Sequence, residues 1–172
     1  MQRIFLALLR FALSAWVGIA LFFVTVILSL RYSKLFTDPV KINHPKVLFP
    51  LYYGFAFTLL GIALFCAVAG VWNAAAGLIR RYILLALVGA SFAVALLDYT
   101  VVYRDLVKIL DDPEAIPAAQ FIARHQASRR LNEALLALSI AAAITAHWPA
   151  AEERQTGRSS SPPNERPDAS TR

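Results

Sequence analysis

Residues 11–30 read FALSAWVGIALFFVTVILSL, twenty residues without a charge between Arg10 and Arg31. An α-helix rises about 1.5 Å per residue, so about 20 apolar residues cross a hydrocarbon core of about 30 Å. Backbone polar groups in lipid must be hydrogen-bonded within the protein, and the stretch lacks the alternation of a barrel strand. It therefore predicts a membrane-spanning helix.

Three more apolar runs follow the first. Residues 47–79 contain no charge, residues 82–103 contain only Asp98, and residues 134–151 again contain none. Four such runs predict an all-α integral membrane four-helix bundle that occupies residues 1–148. We expect its spans near 11–30, 48–70, 82–103 and 131–148.

The composition supports a membrane protein and argues against a nucleic-acid partner. Hydrophobic residues make up 58% of the chain, whereas soluble domains average about 45–50%. The 17 Lys and Arg residues, which give a net charge of +6, are scattered over span ends and loops, where they meet lipid phosphates. We expect a multi-pass protein of the inner or plasma membrane if it is bacterial. Its partner is the lipid bilayer, with a homo-oligomer or other membrane proteins as alternatives.

The charges do not decide the orientation, because Lys and Arg are almost evenly divided between the two predicted sides. Four spans nevertheless place both termini on the same side.

The connections differ in what they predict. Residues 31–47 show no helical periodicity and predict a loop. After Pro117 neither Gly nor Pro occurs until Pro149, so one helix is expected to begin outside the membrane and continue as the fourth span. Residues 149–172 are polar, without an aliphatic side chain larger than Ala, and predict a disordered tail.

One polar stripe enters the fourth span and forms the first candidate site. At about 100° per residue, Asn132 lies within about 20° of His125 around the helix, and Ser128 about 60° away. Imidazole, hydroxyl and amide groups on one face at a membrane boundary can coordinate an ion, relay a proton or bond to a neighbouring loop.

Asp98 is the second candidate, because a charged side chain inside a span requires a partner or a function. The third loop joins the third and fourth spans, so Asp98 is expected near the stripe, paired with His125 or Arg129. Two interpretations remain open. The contact site of His125, Ser128, Asn132 and Asp98 is either a structural clasp that fixes the return of the third loop, or a transport or catalytic site.

Other side chains in the spans have structural explanations. Four aromatic residues are expected to anchor the helices at the membrane interface: Trp16, Tyr52, Tyr53 and Trp148. Small residues at helical spacing predict close helix packing; they are Gly54, Thr58 and Gly61 in the second span, and Ala134, Ala137 and Ala141 in the fourth.

Several kinds of active site are not supported by the sequence. Haem between helices needs ligands within the spans, whereas His44, His125 and His147 lie in a loop or near span ends. One cysteine, Cys66, and one methionine are too few for a soft-metal site or an intramolecular disulfide. HExxH, GxSxG and P-loop motifs are absent from the sequence. We therefore expect no metal, no cofactor and no enzymatic activity; a membrane-embedded enzyme is the less favoured alternative.

Three stretches resemble the transmembrane protein 205-like family of small four-span membrane domains. They are Trp16-Val-Gly18 with Phe22-Phe23, the segment LFPLYY at 48–53, and Phe121-x-x-x-His125-x-x-Ser128-x-x-x-Asn132. The resemblance covers residues 16–148 and leaves out the polar tail.

The resemblance implies a four-span domain without an assigned activity in bacteria. The eukaryotic branch of the family is linked to tolerance of drugs and metal complexes, which implies export or trafficking. The scarcity of soft ligands in this chain argues against direct metal coordination. A structural or accessory membrane protein is the first functional expectation, and an oligomeric transporter or channel component for small solutes or ions is the alternative.

Overall fold

The apolar runs form helices along almost their whole length. The computed structural model of the chain describes residues 2–71, 78–111 and 118–148. In chain order the elements are α1 (Gln2–Tyr32), α2 (Asp38–Val71), α3 (Leu78–Leu97), a π-helical segment (Asp98–Tyr103, the π segment), α4 (Arg104–Asp111) and α5 (Ala118–His147). The described residues contain no strand, so the all-α bundle is confirmed. The tail predicted at 149–172 lies outside the described residues.

Four long helices form a closed ring in which neighbours run antiparallel. α1 packs on α2, α2 on α3, α3 on α5, and α5 returns to α1. Contacts between the helices show these directions. Between α1 and α2, the ring of Phe5 contacts Phe65 and the ring of Phe23 contacts Tyr52. Between α3 and α5, Arg80 donates a hydrogen bond to Thr145, and Asp98, which directly follows α3, accepts one from Asn132. We refer to the end of the bundle that carries Arg10 and Arg80 as the proximal end, and to the end that carries Arg31 and His125 as the distal end.

Three helical stretches are long and apolar enough, by length and composition, to cross a membrane. They are Arg3–Tyr32, Lys46–Ala69 and Leu78–Lys108. Their outward faces carry exposed side chains such as Phe11, Phe22 and Phe65, which are 66–71% exposed. A bundle built for water would place polar residues there, so this surface fits lipid. α5 is not among the three, and its first half carries several charged residues.

One helix boundary differs from the sequence-based prediction, and the continuity of another helix is confirmed. α2 begins at Asp38, so the first connection is residues 33–37 rather than 31–47. Proline is well tolerated in a first helical turn, which explains how α2 starts at Asp38-Pro39; the Val40 N–H bonds to the Thr37 carbonyl at 3.1 Å. α5 is one continuous helix from Ala118 to His147, as the absence of Gly and Pro predicted.

Three of the four expected interfacial anchors are in fact core residues, whereas the fourth, Trp148, is 57% exposed. Trp16, Tyr52 and Tyr53 are 0%, 6% and 1% exposed. Trp16 Nε1 donates a 3.0 Å hydrogen bond to Ser139 Oγ, which in turn donates to the Leu135 carbonyl at 2.7 Å. Large rings can occupy a bundle core when their polar tips find partners there, so the anchor prediction was wrong for all three.

The small residues that bring the helices together differ in part from the predicted ones: Gly61 lies against Phe92 of α3 and Ala141 is partly buried, in line with the prediction. Gly54, Thr58, Ala134 and Ala137 are exposed on the outside of the bundle. The buried positions are instead taken by other alanines: Ala12, Ala20, Ala56, Ala63, Ala67, Ala95, Ala142 and Ala146. These alanines leave room for the rings of Trp16 and the two tyrosines.

Two arginines hold the C-terminal end of α5 at the proximal end of the bundle. Arg10 Nε donates to the Ala146 carbonyl at 2.8 Å, and Arg80 Nη2 donates to the Thr145 carbonyl at 2.9 Å. Arg80 also donates to the carbonyl of Trp148. The last carbonyls of a helix lack intrahelical partners and carry partial negative charge. The guanidinium groups of α1 and α3 therefore satisfy the end of α5 and fix its position.

We predict that Trp16→Ala will lower the free energy of unfolding by about 3–5 kcal/mol, as expected when a large buried ring leaves a cavity. Reversible unfolding of the detergent-solubilised protein measures this loss. Phe22→Ala is the matched control, because Phe22 lies on the same helix and is 71% exposed; it should cost about 0.5 kcal/mol or less. Equal losses for the two variants would contradict the buried position of Trp16.

Candidate functional site

A connected group of polar side chains lies inside the distal half of the bundle. The Asp98 carboxyl is 1% exposed, and its Oδ2 accepts hydrogen bonds from Tyr53 Oη at 2.7 Å and Asn132 Nδ2 at 2.6 Å. Tyr52 Oη donates to Asn132 Oδ1 at 2.8 Å, and Asn132 Nδ2 also donates to the Ser128 carbonyl at 3.0 Å. We call Tyr52, Tyr53, Asp98, Ser128 and Asn132 the Asp98 cluster. It joins α2, the π segment and α5.

Adjacent tyrosines of α2 enter the cluster from different directions, because successive helical residues point about 100° apart. Tyr52 packs on Trp16 and Phe23 of α1, with ring centroids 5.2 and 4.5 Å apart. Tyr53 packs on Tyr103 of the π segment at 4.8 Å. Both hydroxyls nevertheless converge on the Asp98–Asn132 pair, so α2 contacts both its neighbours and the opposite helix.

The carboxyl lies at the first residue of the π segment, where α3 changes from α-helical to π-helical geometry. π-helical turns are rare and occur frequently at functional sites. Ser128 and Asn132 are four residues apart on α5 and therefore share one face. The π segment and this face of α5 bring three of the four predicted site residues together: Asp98, Ser128 and Asn132.

His125, the fourth predicted residue, is not part of the cluster. It is exposed, and its ring stacks on Phe121 with centroids 5.9 Å apart and planes 7° from parallel. Arg129 forms an exposed 3.3 Å ion pair with Glu133. The predicted pairing of Asp98 with His125 or Arg129 was therefore wrong. His125 shares the direction of Asn132 around the helix but lies seven residues, or about 10 Å, farther toward the distal end.

Tyr52 and Tyr53 are the cluster members that the sequence did not identify. Tyrosine near the start of a span is common at membrane interfaces, so the pattern alone favoured an anchor. One signal was present: in an antiparallel hairpin Tyr53 is seven residues inside Lys46, and Asp98 is six residues inside Arg104. The two side chains are therefore at similar depths in the membrane.

A second contact fixes the distal ends of the helices. Arg124 of α5 forms an ion pair with Asp105 of α4 and donates to the Val101 carbonyl at 3.2 Å. Lys108 also lies 3.6 Å from Asp105. These groups are partly exposed, so their ion pairs contribute little individually. They nevertheless attach α4 and the π segment to α5 beyond the cluster.

An open groove of about 450 Å³ lies beside the cluster, between α2 and the π segment. Tyr53 lines this groove, while its hydroxyl bonds to Asp98. The remaining lining residues are mostly apolar or aromatic: Pro50, Gly54, Phe57, Tyr99, Tyr103, Arg104 and Val107. The Tyr53 ring therefore links the groove to the buried carboxyl.

Charge at the cluster is not balanced by a neighbouring cation. Among the described residues, none of the side chains that hydrogen-bond to Asp98 is cationic, and its Oδ1 has no hydrogen-bond partner. A buried carboxylate without a counter-charge is costly. The carboxyl therefore requires a positive partner, which is either a proton on one of its own oxygens or a bound cation. Within the described ranges no group of three or more His, Cys, Asp and Glu side chains is placed to hold a metal ion.

His125 lies in a different electrostatic environment at the distal end. Partial burial lowers the pKa of its imidazole below the ordinary value, and the positive charges of Arg31 and Arg129 lower it further. All three effects disfavour the protonated form. The lowered pKa therefore disfavours His125 as a positively charged counter-ion for a carboxylate.

Comparison with known proteins returned no matching family model, no matching curated protein and no matching solved structure. The resemblance to the transmembrane protein 205-like family therefore stays a prediction from the three sequence stretches.

We predict that His125 titrates below the ordinary histidine pKa of about 6.5. The folded state then binds fewer protons than the unfolded state, so stability falls as the pH decreases from about 6.5 through the lower folded value. Histidine Cε1–H resonances, assigned by their loss in His125→Gln, measure the midpoint. Arg129→Gln should move it upward, because one repulsive charge is removed. A midpoint at or above the ordinary value would contradict the influence of Arg31 and Arg129.

Proposed function

We propose that the protein is a four-span integral membrane protein, of the inner or plasma membrane in a bacterium, with a structural or accessory role. Three of its helices meet the requirements of length and composition for crossing a membrane. In the proposal α5 is the fourth span. Both termini then lie on one side of the membrane, at the proximal end of the bundle.

The packing of α5 supports its assignment as a span. It contacts both α1 and α3, and its hydrogen bonds to neighbouring elements within the proposed span extend from Asn132, which donates to Asp98, to Ala146, which accepts from Arg10. Asn132 and Ala146 are separated by fourteen residues, or about 21 Å along a helix, which is a large part of a hydrocarbon core of about 30 Å. The helix is also bonded at its C-terminal end by the arginines and near its middle by the Asp98 cluster.

The Asp98 cluster is the observation that carries the structural role. Its hydrogen bonds connect three elements far apart in the chain, at separations of 45 residues for Tyr53–Asp98 and 34 for Asp98–Asn132. Buried polar groups with specific partners select one packing of apolar helices over others. We therefore favour the clasp interpretation for Asp98, Ser128 and Asn132, and we assign no catalytic role to them.

A second candidate function is that of an oligomeric transporter or channel component. Four spans are few for a transporter that acts alone, so this function requires several copies. The exposed small residues Gly54 and Thr58 on α2, and Ala134 and Ala137 on α5, favour it, because small side chains allow helices of neighbouring copies to approach closely.

The four-span proposal predicts opposite sides for the two ends of α5. In a Cys66→Ala background, single cysteines are introduced by Lys34→Cys, Gln126→Cys and His147→Cys, all at exposed positions. A membrane-impermeant maleimide applied to sealed vesicles of each orientation should label Lys34→Cys and Gln126→Cys from one side and His147→Cys from the other. Labelling of Gln126→Cys and His147→Cys from the same side would show that α5 does not cross the membrane.

A further inference from the structure

The Asp98 carboxyl has one oxygen that the structural clasp does not use. Oδ2 accepts both hydrogen bonds, from Tyr53 and Asn132. Oδ1 has less than 1 Å² of accessible surface and no hydrogen-bond partner among the described residues. A clasp would be complete with both oxygens bonded, because each unsatisfied buried polar atom costs stability. The free oxygen therefore points to a ligand.

The side chains that face Asp98 leave room for only a very small ligand with positive charge. α2 contributes the hydroxyls of Tyr52 and Tyr53, α5 contributes Ser128 and Asn132, and the π segment contributes the rings of Tyr99 and Tyr103 beyond Tyr53. Among the charged groups of the distal end, Arg124 is paired with Asp105 and Arg129 with Glu133. His125 stacks on Phe121. The described side chains thus supply hydroxyl and amide groups around the carboxyl, and no positive charge bonded to it.

The cluster approaches the surface on the distal side of the bundle, where Ser128 is 8% exposed, Asn132 is partly exposed and Tyr53 lines the groove. Ser128 lies one helical turn to the distal side of Asn132, and its Oγ accepts a 3.4 Å hydrogen bond from Asn132 Nδ2, which also donates to Asp98. On the proximal side the core is filled by Trp16, Leu135 and Ser139, which are at most 1% exposed. A small ligand that reaches Asp98 therefore arrives from the distal side, where Ser128 offers a hydroxyl group.

We propose that Asp98 is a reversible proton-binding site that exchanges with water at the distal end of the bundle through the Ser128 hydroxyl. On binding, a hydronium ion in distal water gives up a proton by breaking one of its O–H bonds and leaves a water molecule; the proton forms an O–H bond with Oδ1, and the carboxylate loses its negative charge. On release, the same bond breaks and the proton returns to distal water, so no other reactant is needed. Tyr53 and Asn132 hold Oδ2 in both states.

This inference rests on the same cluster as the proposed clasp but goes beyond it. A carboxyl that never titrates would overturn the proton site and leave the clasp intact. Failure of α5 to cross the membrane, detected by maleimide labelling, would overturn the four-span proposal without showing whether Asp98 titrates.

Infrared difference spectroscopy of the full-length protein in lipid vesicles during a pH titration tests the proposal. We expect a carbonyl-stretching band of a protonated, non-aqueous carboxyl that appears and disappears reversibly with pH. Asp98→Asn should lose this band. Asp105→Asn should keep it, because Asp105 is a partly exposed carboxyl at the same end of the bundle. A reversible band that survives in Asp98→Asn, or no such band in the unaltered protein, would overturn the proposal.

Two further variants keep the test decisive if Asp98→Asn does not fold. Tyr53→Phe removes one hydrogen bond from Oδ2 and should change the frequency of the band, whereas an unchanged frequency would show that the band is not that of Asp98.

Ser128→Val removes the exchange path and should slow deuterium exchange of the carboxyl by about tenfold, which corresponds to about 1.4 kcal/mol on the barrier. Unchanged exchange in Ser128→Val would overturn the path through Ser128.

Discussion

The Asp98 carboxyl and the two hydrogen bonds that its Oδ2 accepts are the interaction on which the distal half of the bundle depends. Apolar helices in lipid gain little specificity from the hydrophobic effect, since lipid tails are as apolar as the side chains. A buried carboxyl changes this, because leaving it without partners costs far more than ordinary packing differences. Tyr53 and Asn132 therefore select one rotation for α2 and one for α5.

The C-terminal end and the middle of α5 are held in place by different kinds of hydrogen bond. At the proximal end, Arg10 and Arg80 donate to its last carbonyls, an arrangement that any helix C-terminus offers. Near the middle of α5, the hydrogen bond depends on two particular side chains, Asn132 and Asp98. Between them, the Trp16–Ser139 hydrogen bond lies in a core of rings and alanines. α5, the least apolar of the four long helices, is thus held by polar contacts from its middle to its C-terminal end.

The fold could be predicted from the sequence because lipid restricts the possible structures so strongly. Uncharged runs identified the helices, and the lack of Gly and Pro after Pro117 identified α5 as continuous. The start of α2 at Asp38 was missed, since prolines in the segment resemble a loop when neighbouring contacts are unknown.

The site could be predicted only in part. Asp98, Ser128 and Asn132 were recognisable because polar groups in a span are costly, whereas Tyr52 and Tyr53 suited either an interface or a core. The wrong assignment of His125 has a simple cause. A helical projection gives the direction of a side chain around the axis but ignores its position along it, and His125 lies about 10 Å beyond Asn132. The position of Asp98 along the helix axis, relative to the antiparallel helices beside it, decides which side chains can contact its carboxyl.

The central claim is that a hydrogen bond from Tyr53 to Asp98 joins α2 to the π segment that follows α3. A double-mutant cycle tests this claim most directly. Tyr53→Phe, Asp98→Leu and the double variant are unfolded reversibly in mixed micelles, and their free energies of unfolding are compared. A direct hydrogen bond predicts that the double variant loses less stability than the sum of the single variants, by about 0.5–3 kcal/mol. Losses that add to within about 0.3–0.5 kcal/mol would contradict the claim.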